Sequence, residues 1–391
     1  MSKFQKQTAD VIARNADTVR KLSDSIHANP ELGFNEFHAA ASQIAILKAA
    51  GFAVENPVGS MPTAFKAESG GGSPAFCLIS EYDALPEIGH ACGHNLIAAT
   101  AIAAGLAVKE IMEQEAIPGR LVVMGTPCEE SNGGKVILLK ENAFAGIDAC
   151  LMTHPFYATG RDPGNLAVSR YDVIFTGKAA HAASEPEAGI NALDAMNLLF
   201  CGINAWRQQL QESSRIHGII TEGGVAPNII PDKTSGFFYL RAVSNTILAA
   251  MEKRFRDIAQ GAALMTGCEC QVVQTTNPYD ANIPNEPLNA LAMQTATQLK
   301  MAPEIITQKV STDFANLSQE IPGVSFFFKA VREHVSLHSK EFEKAAGADF
   351  AFEQAMLAAQ VIACTALEYF TNETFRIAVK TDFEQRKFQI K

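Results

Sequence analysis

The chain has 391 residues, of which 47% are hydrophobic and 19% are charged, and its formal net charge is −10 at pH 7. Because one hydrophobic core rarely organises this many residues, the length predicts two domains. The acidic charge and the lack of a Lys/Arg cluster argue against a nucleic-acid-binding protein, so we expect no nucleic-acid partner.

The apolar runs, the N-terminus and the cysteines indicate the cellular compartment of the protein. The longest apolar run, 96–108, is too short to span a bilayer and predicts a buried helix. The first residues are polar and show no apolar signal core or cleavage site. The eight cysteines are scattered along the chain and do not resemble a disulfide framework. We therefore expect a cytoplasmic protein without a membrane partner.

The first part of the chain alternates between helical and strand patterns. The predicted elements are, in chain order, helices at 4–28 and 36–50, a strand at 75–79, a helix at 96–115, a strand at 121–124, a helix at 134–142 and a strand at 149–152. Strands that alternate with helices favour an α/β fold with a mostly parallel sheet covered by helices.

The pattern changes near residue 166 and predicts a second, inserted domain. Its elements are strands at 166–176, 218–222, 233–242 and 269–274, with helices at 190–209 and 247–265. This β-α-β-β-α-β order is typical of the ferredoxin-like α+β module. We expect residues 166–278 to form this inserted domain. Residues 1–165 and 279–391 would then form one larger domain, completed by a helix at 289–301, a strand at 324–328 and a helix at 348–370.

Each of the three strands in the first part leads into polar residues. Glu81 and Asp83 follow the first strand, Glu129 and Glu130 follow the second, and His154 follows the third. Because the carboxyl ends of neighbouring parallel strands lie on one edge of a sheet, we expect these residues to converge.

The loop after the first strand also carries Cys92 and His94, separated only by Gly93. A thiolate and an imidazole at this spacing can approach one metal ion from both sides of a tight turn. In the adjacent pair Glu129 and Glu130, one carboxylate can bind metal while the other serves as a general base. The pattern predicts a metal-dependent hydrolytic site. A nucleophilic Cys92 paired with His94 remains an alternative that leaves the glutamate pair without a role.

Two other catalytic patterns are incomplete. Gly133-Gly134-Lys135 resembles the end of a phosphate-binding loop, but Glu129 replaces its first glycine and Val136 its hydroxyl residue. The chain has no Gly-x-Ser-x-Gly elbow, which a serine hydrolase of the α/β type would need.

Eight short motifs are spread over almost the whole chain: PELGF at 30–34, DALP at 83–86, HACGHN at 90–95, PCEE at 127–130, THP at 153–155, GKAAHA at 177–182, PNIIPD at 227–232 and LHS at 337–339. Together they resemble the co-catalytic zinc aminoacylase and carboxypeptidase superfamily of metallopeptidases and amidohydrolases. The stretch 81–95 is similar to the branch that holds p-aminobenzoyl-glutamate hydrolase and β-alanyl (Xaa-Arg type) dipeptidase.

The resemblance implies two divalent metal ions, Zn²⁺ first, with Mn²⁺ or Co²⁺ as alternatives. It implies that Cys92 stands where other branches have a bridging carboxylate. His94 and His154 would hold one ion, and Glu130 and His338 the other. Other branches carry a ligand histidine at the position of Glu81, and His94 would supply the missing imidazole here.

The resemblance also assigns roles around the metals. Glu129 would take a proton from water and pass it to the leaving amine, and Asp83 would orient His94. From the insert, His181 would steady the oxyanion across a dimer interface.

Asn228 and Arg241 would hold the carboxylate of the substrate, a role that suits the bidentate guanidinium. The implied enzyme is a homodimer that cleaves the amide bond of a small N-acyl amino acid or dipeptide. Residues 1–165 and 279–391 would be its catalytic, metal-binding domain, and the inserted residues 166–278 would be its lid and dimerisation domain. A deacylase of N-acetyl or aryl-acyl amino acids is the alternative with the same chemistry. An inactive metal-binding relative with a binding or structural role is the alternative of another class.

Overall fold

The computed structural model describes residues 4–390, which form two compact units. The first unit runs up to Gly164 and resumes at Asn282, and the second is Asn165–Ala281. The boundaries predicted from the sequence, after residues 165 and 278, lie within a few residues of these.

The described part of the chain contains eleven strands and eleven α-helices. The strands are β1 (Ala53–Glu55), β2 (Phe65–Gly71), β3 (Ala75–Ser80), β4 (Gly119–Gly125), β5 (Ala149–Phe156), β6 (Gly160–Arg161), β7 (Ala167–Thr176), β8 (Arg215–Glu222), β9 (Lys233–Ala242), β10 (Glu269–Gln274) and β11 (Gly323–Lys329). The helices are α1 (Phe4–Ala28), α2 (Phe37–Ala49), α3 (His94–Gln114), α4 (Gly134–Lys140), α5 (Ala192–Trp206), α6 (Asn245–Thr266), α7 (Glu286–Gln298), α8 (Phe314–Glu320), α9 (Lys340–Ala346), α10 (Asp349–Thr371) and α11 (Glu373–Ile390).

The first unit is built on a seven-stranded sheet in the order β1-β2-β4-β3-β5-β11-β6. Its four central strands, β4, β3, β5 and β11, run parallel. The outer strands β1, β2 and β6 are antiparallel to their neighbours. All six residues of β3 are buried, as expected of a strand covered on both faces. The predicted α/β class with a mostly parallel sheet is confirmed.

The core of the first unit is centred on α3, the helix predicted from the apolar run 96–108. Small alanine side chains allow this helix to be buried almost all round, and α1 and α10 both pack against it. By length and composition alone, α3 and α10 could cross a membrane, but most of each helix is buried inside the protein. We interpret both as core helices.

The second unit is a four-stranded antiparallel sheet in the order β10-β7-β9-β8. Alternate residues of β9, such as Phe238 and Leu240, are buried in one core with α5 and α6. The period-2 alternation of β9 fits a sheet with helices on one face. This arrangement confirms the predicted ferredoxin-like fold of the insert.

Several elements of the first unit were not predicted, among them strand β2 and helix α11. Strand β2 alternates between buried and partly exposed residues and ends in Ser69-Gly70-Gly71, so its sequence lacks a continuous apolar run. Helix α11 is mainly polar, and its place in the fold depends on contacts with α7 and α10. Both elements are specified by their contacts in the folded chain rather than by local pattern.

Candidate metal centre

Three neighbouring parallel strands end at one place in the first unit. In the order β4-β3-β5, strand β3 is followed by Glu81 and Asp83, and β4 is followed by Glu129 and Glu130. Strand β5 extends four residues beyond the predicted end at residue 152, so His154 lies within the strand instead of after it. The strand ends bring these carboxylates and the imidazole to a common edge.

The start of α3 supplies the thiol and a second imidazole. His94 is the first residue of α3, and Gly93 precedes it with a left-handed φ of 76°. A Cβ on Gly93 would lie 2.6 Å from Cγ of Pro155, so only glycine allows this turn to approach β5 so closely. As a result Cys92 Sγ lies 3.5 Å from His154 Nε2.

His338 reaches the same place from the second half of the chain. Its backbone N–H donates to the carbonyl of Ala91, 3.0 Å away, directly beside Cys92. Its side chain is half exposed, and Nε2 lies 3.5 Å from Oε1 of Glu130. His338 has a φ of 59°, a conformation uncommon for a residue with a side chain.

The potential ligand atoms form three overlapping groups, in each of which all atoms lie within 4.8 Å of one another. The groups are Cys92, His94 and His154; Cys92, Glu130 and His338; and His94, Glu129 and Glu130. The structure therefore brings together all five predicted metal ligands and places the proposed base, Glu129, beside them.

Hydrogen bonds fix which nitrogen of two histidines faces the cluster. Nδ1 of His94 donates to Oδ1 of Asp83 at 3.0 Å, and Nδ1 of His154 donates to the carbonyl of Pro155 at 2.8 Å. In each neutral imidazole the lone pair then lies on Nε2, which is the atom that belongs to the cluster. Asp83 thus contacts the candidate ligand that the family resemblance implies it orients, and this role remains a prediction.

The unsatisfied atoms at this place fit divalent cations. Among the residues that the structure describes, Nε2 of His94, Oε1 of Glu130 and Oε2 of Glu81 are buried without a hydrogen-bond partner. Buried polar atoms of this kind are costly to leave unpaired. A thiol, imidazoles and carboxylates within a few ångströms of one another are the donors that zinc prefers.

The pKa values of the two adjacent glutamates are shifted in opposite directions. Burial raises the pKa of Glu129 well above its usual value, and the charge on Glu130 raises it further. Burial alone would also raise the pKa of Glu130, but the neighbouring imidazoles of His338 and His94 lower it to about 2. A pair whose pKa values are pushed apart is typical of an ionised ligand beside a proton-transferring group.

The environment of Cys92 argues against the nucleophile alternative. Burial raises the pKa of the Cys92 thiol well above its usual value, and the charge on Glu130 raises it further. Nucleophilic cysteines need the opposite shift, because the thiolate is the reactive form. A bound cation would favour the thiolate, so the geometry and electrostatics both favour a ligand role.

A buried lysine next to the cluster was not predicted from the sequence. Lys135 is fully buried, and its Nζ contacts Oε1 of Glu81 at 2.5 Å and Oδ1 of Asp313 at 2.6 Å. The other oxygen of Glu81 lies 3.7 Å from Nε2 of His94. The incomplete phosphate loop that contains Lys135 is thus part of an ion-pair network behind the site.

The other three predicted site residues belong to the second unit. Nδ1 of His181 accepts the backbone N–H groups of Ala183 and Ser184, so Nε2 of this exposed side chain carries the proton in the neutral form. The segment around Asn228 pairs with the segment around His181. Their roles remain predictions.

The third of these residues, Arg241, lies on β9 with its guanidinium 5.5 Å from the centre of the Tyr239 ring. Burial lowers its pKa, and the neighbouring Arg170 lowers it further. Its assignment to the substrate carboxylate also remains a prediction.

Comparisons with known proteins match most of the chain to one family. The sequence model of Peptidase family M20/M25/M40 matches residues 77–367. The chain is 34% identical to the Xaa-Arg dipeptidase of Mus musculus over 97% of this chain and 92% of that protein. It is 35% identical to a p-aminobenzoyl-glutamate hydrolase chain of Escherichia coli over 74% of this chain and 64% of that one. An N-acetyl-L-cysteine deacetylase of Bacillus subtilis is 27% identical over 79% of each chain.

Solved structures share the fold. The aminobenzoyl-glutamate utilization protein of Klebsiella pneumoniae has a TM-score of 0.70 with 17% identity, covering 93% of this chain and 98% of that one. The Bacillus subtilis YXEP protein, described as a dinuclear metal binding peptidase of the M20 family, has a TM-score of 0.70 with 19% identity, covering 92% and 99%. At these identities the likeness concerns the fold.

Proposed function

This chain belongs to peptidase family M20/M25/M40 and is a hydrolase of C–N bonds, and we propose that it cleaves the amide bond of a dipeptide with the help of two divalent ions. The observation that carries the proposal is the convergence of five donor residues beside a buried glutamate. The donor residues are Cys92, His94, Glu130, His154 and His338.

The residues of the chain divide the work of hydrolysis. Divalent ions held by the five donors would lower the pKa of a bound water towards ~7 and polarise the amide carbonyl. Glu129 lies within 4.8 Å of the ligand atoms of His94 and Glu130, so it can accept a proton from the attacking water. It then transfers that proton to the nitrogen of the leaving amine. Asp83 holds His94 and, through Oδ2, the backbone N–H of Glu130.

The relatives act on different substrates, and the share of this chain that each one matches favours a dipeptide as the substrate here. The Xaa-Arg dipeptidase matches this chain almost end to end, whereas the deacetylase matches less of it at lower identity. Deacylation of an N-acetyl or aryl-acyl amino acid is the second candidate, because the same donors and the same base serve it. Zinc is the proposed metal, since thiolate and imidazole ligands suit it, with Mn²⁺ or Co²⁺ as alternatives.

A substrate panel tests the proposal. The protein, stripped with a chelator and reloaded with Zn²⁺, Mn²⁺ or Co²⁺, is assayed on dipeptides that end in Arg or Lys, on p-aminobenzoyl-glutamate and on N-acetyl amino acids. We expect the dipeptides to be the best substrates and the stripped protein to be inactive. If the predicted contacts of Asn228 and Arg241 with the substrate carboxylate hold, the carboxamide analogue should lose roughly tenfold or more in kcat/KM.

Two results of the panel would count against the proposal. Preferential cleavage of N-acetyl amino acids would favour the deacylase. If the reloaded protein contains two ions per chain by elemental analysis and hydrolyses nothing, the inactive metal-binding alternative would stand instead.

We also propose that the chain forms a homodimer through its inserted unit. In support, β8 lies at the edge of the four-stranded sheet and exposes Ile219 and Ile220, by 62% and 41%. An exposed apolar edge strand favours pairing with another strand. Sedimentation velocity should give a species of twice 42.0 kDa, and Ile219→Lys should shift it to the single chain.

The same dimer would allow His181 to act across the interface, as the resemblance implies. Mixing the inactive variants His181→Ala and Glu129→Gln would then restore activity, because mixed dimers contain one site with both residues intact. A single-chain species in sedimentation, or no recovery on mixing, contradicts the corresponding part of this proposal.

A further inference from the structure

The segment that precedes α2 places a buried carboxylate behind the glutamate pair. Glu36 is fully buried, and its two oxygens accept hydrogen bonds from different parts of the chain. Oε1 accepts the backbone N–H of Cys128 at 2.8 Å, and Oε2 accepts the hydroxyl of Thr63 at 2.9 Å. Glu36 therefore ties the start of α2 to the loop that follows β4.

The bonded loop residue has an unusual backbone. Cys128 has a φ of 66°, a left-handed conformation that residues with a side chain seldom adopt. It is followed immediately by Glu129 and Glu130, so its backbone angles set the direction of both carboxylates. Two buried carboxylates hold this loop: Glu36 holds the N–H of Cys128, and Asp83 holds the N–H of Glu130 at 2.9 Å.

A helix-capping role does not explain Glu36. Although it is the residue before α2, its side chain makes no cap hydrogen bond. A neighbouring carboxylate, Glu31, accepts the N–H groups of His38 and Ala39 at 2.9 Å and 3.0 Å instead. Burial and the charge on Asp83 raise the pKa of Glu36 to about 7, so the fold keeps a carboxylate where its charge is unfavourable.

The packing leaves little room for the loop to move. A Cβ on Gly33 would lie 2.6 Å from Oγ of Ser131 and 2.9 Å from Sγ of Cys128. The segment 31–36 and the loop 126–131 are thus in direct contact, and the hydrogen bond from Cys128 to Glu36 fixes their register.

We propose that Glu36 is a positioning residue, whose carboxylate holds Cys128 in its left-handed conformation and thereby aims Glu129 at the reacting water and Glu130 at the metal. The role depends on the reach of the side chain to the Cys128 N–H and not on its charge. This inference rests on the proposed function of Glu129 and Glu130.

Glu36→Gln and Glu36→Asp separate reach from charge. Glutamine keeps the length and an acceptor oxygen, so most of kcat should remain. Aspartate keeps the charge but is one methylene shorter and cannot reach the N–H, so kcat should fall by about 10–100-fold with little change in KM. The Co²⁺-loaded Asp variant should also show an altered visible absorption spectrum, because Glu130 is displaced.

Glu31→Ala is the matched control, since it removes a carboxylate from the same segment but not from the loop. It should lower the thermal midpoint through the lost helix cap and leave kcat and the Co²⁺ spectrum unchanged. The proposal is overturned if the Asp variant matches wild type in kcat and spectrum, or if the Gln variant loses more activity than the Asp variant. Glu129→Gln is assayed in parallel. If this variant is active, the proposed function has failed. If it is inactive while Glu36→Asp has normal activity, only the inference about Glu36 has failed.

Discussion

Replacing Glu129 by glutamine is expected to lower kcat by about 10²–10⁴-fold, the usual contribution of a positioned general base. Glutamine has nearly the same shape and can still form hydrogen bonds, but it cannot accept the proton of the attacking water. Burial raises the pKa of Glu129, so its carboxylate holds a proton more strongly than an exposed one would, which suits a group that accepts a proton and then returns it. The fold and the metal content should be unchanged.

The metal content of the variant must be measured as well, because Glu129 could act as a metal ligand instead of a base. Its carboxylate lies within 4.8 Å of the ligand atoms of His94 and Glu130, so it could bind metal itself. Glu129→Gln should retain two ions per chain, whereas the adjacent control, Glu130→Gln, should lose metal affinity. A Glu129→Gln variant that turns over at a near-normal rate would refute the base, and one that loses an ion would identify a ligand instead.

Much of the fold was predictable because its central strands carry a strong local signal. Strands buried on both faces read as short continuous apolar runs, as in β3, whose six residues are all buried. Strand β2 and helix α11 lack such a signal, since one ends in glycines and the other is mainly polar. Their structure depends on neighbours that the local sequence does not reveal.

Some residues of the candidate site were likewise predictable from local sequence, and others were not. Cys92 and His94 are separated by one residue only, and the residues at the carboxyl ends of β3, β4 and β5 were predictable from the parallel sheet. His338 had little local signal and was identified through the family resemblance. Glu36 and Lys135 were missed because their partners are distant: 92 residues separate Glu36 from Cys128, and 178 separate Lys135 from Asp313.

Replacing Lys135 by methionine is expected to lower the free energy of unfolding by about 3–5 kcal/mol, as when one partner of a buried ion pair is removed. Lys135 is fully buried and contacts Glu81 and Asp313, and its backbone N–H also donates to Asp313. Without the ammonium, two buried carboxylates lack their counter-charge. Urea unfolding of the metal-free protein measures the loss, and Lys140→Met, an exposed position on the same helix, should change stability by less than about 0.5 kcal/mol.

The stability that Lys135→Met loses should depend on pH, and the direction of this dependence identifies the cause of the loss. Burial already raises the pKa of Asp313 to about 6 although Lys135 lowers it, so removing Lys135 raises this pKa further. If the pKa of a carboxyl is higher in the folded than in the unfolded state, the fold loses stability as the pH rises from the unfolded-state pKa to the folded-state pKa. The deficit should therefore be largest above neutral pH and shrink towards pH ~5, where the carboxyl of Asp313 becomes protonated in the folded state. A pH-independent deficit would point to lost packing, whereas recovery in the triple variant Lys135→Met, Glu81→Gln, Asp313→Asn would show that unpaired charge is the cause.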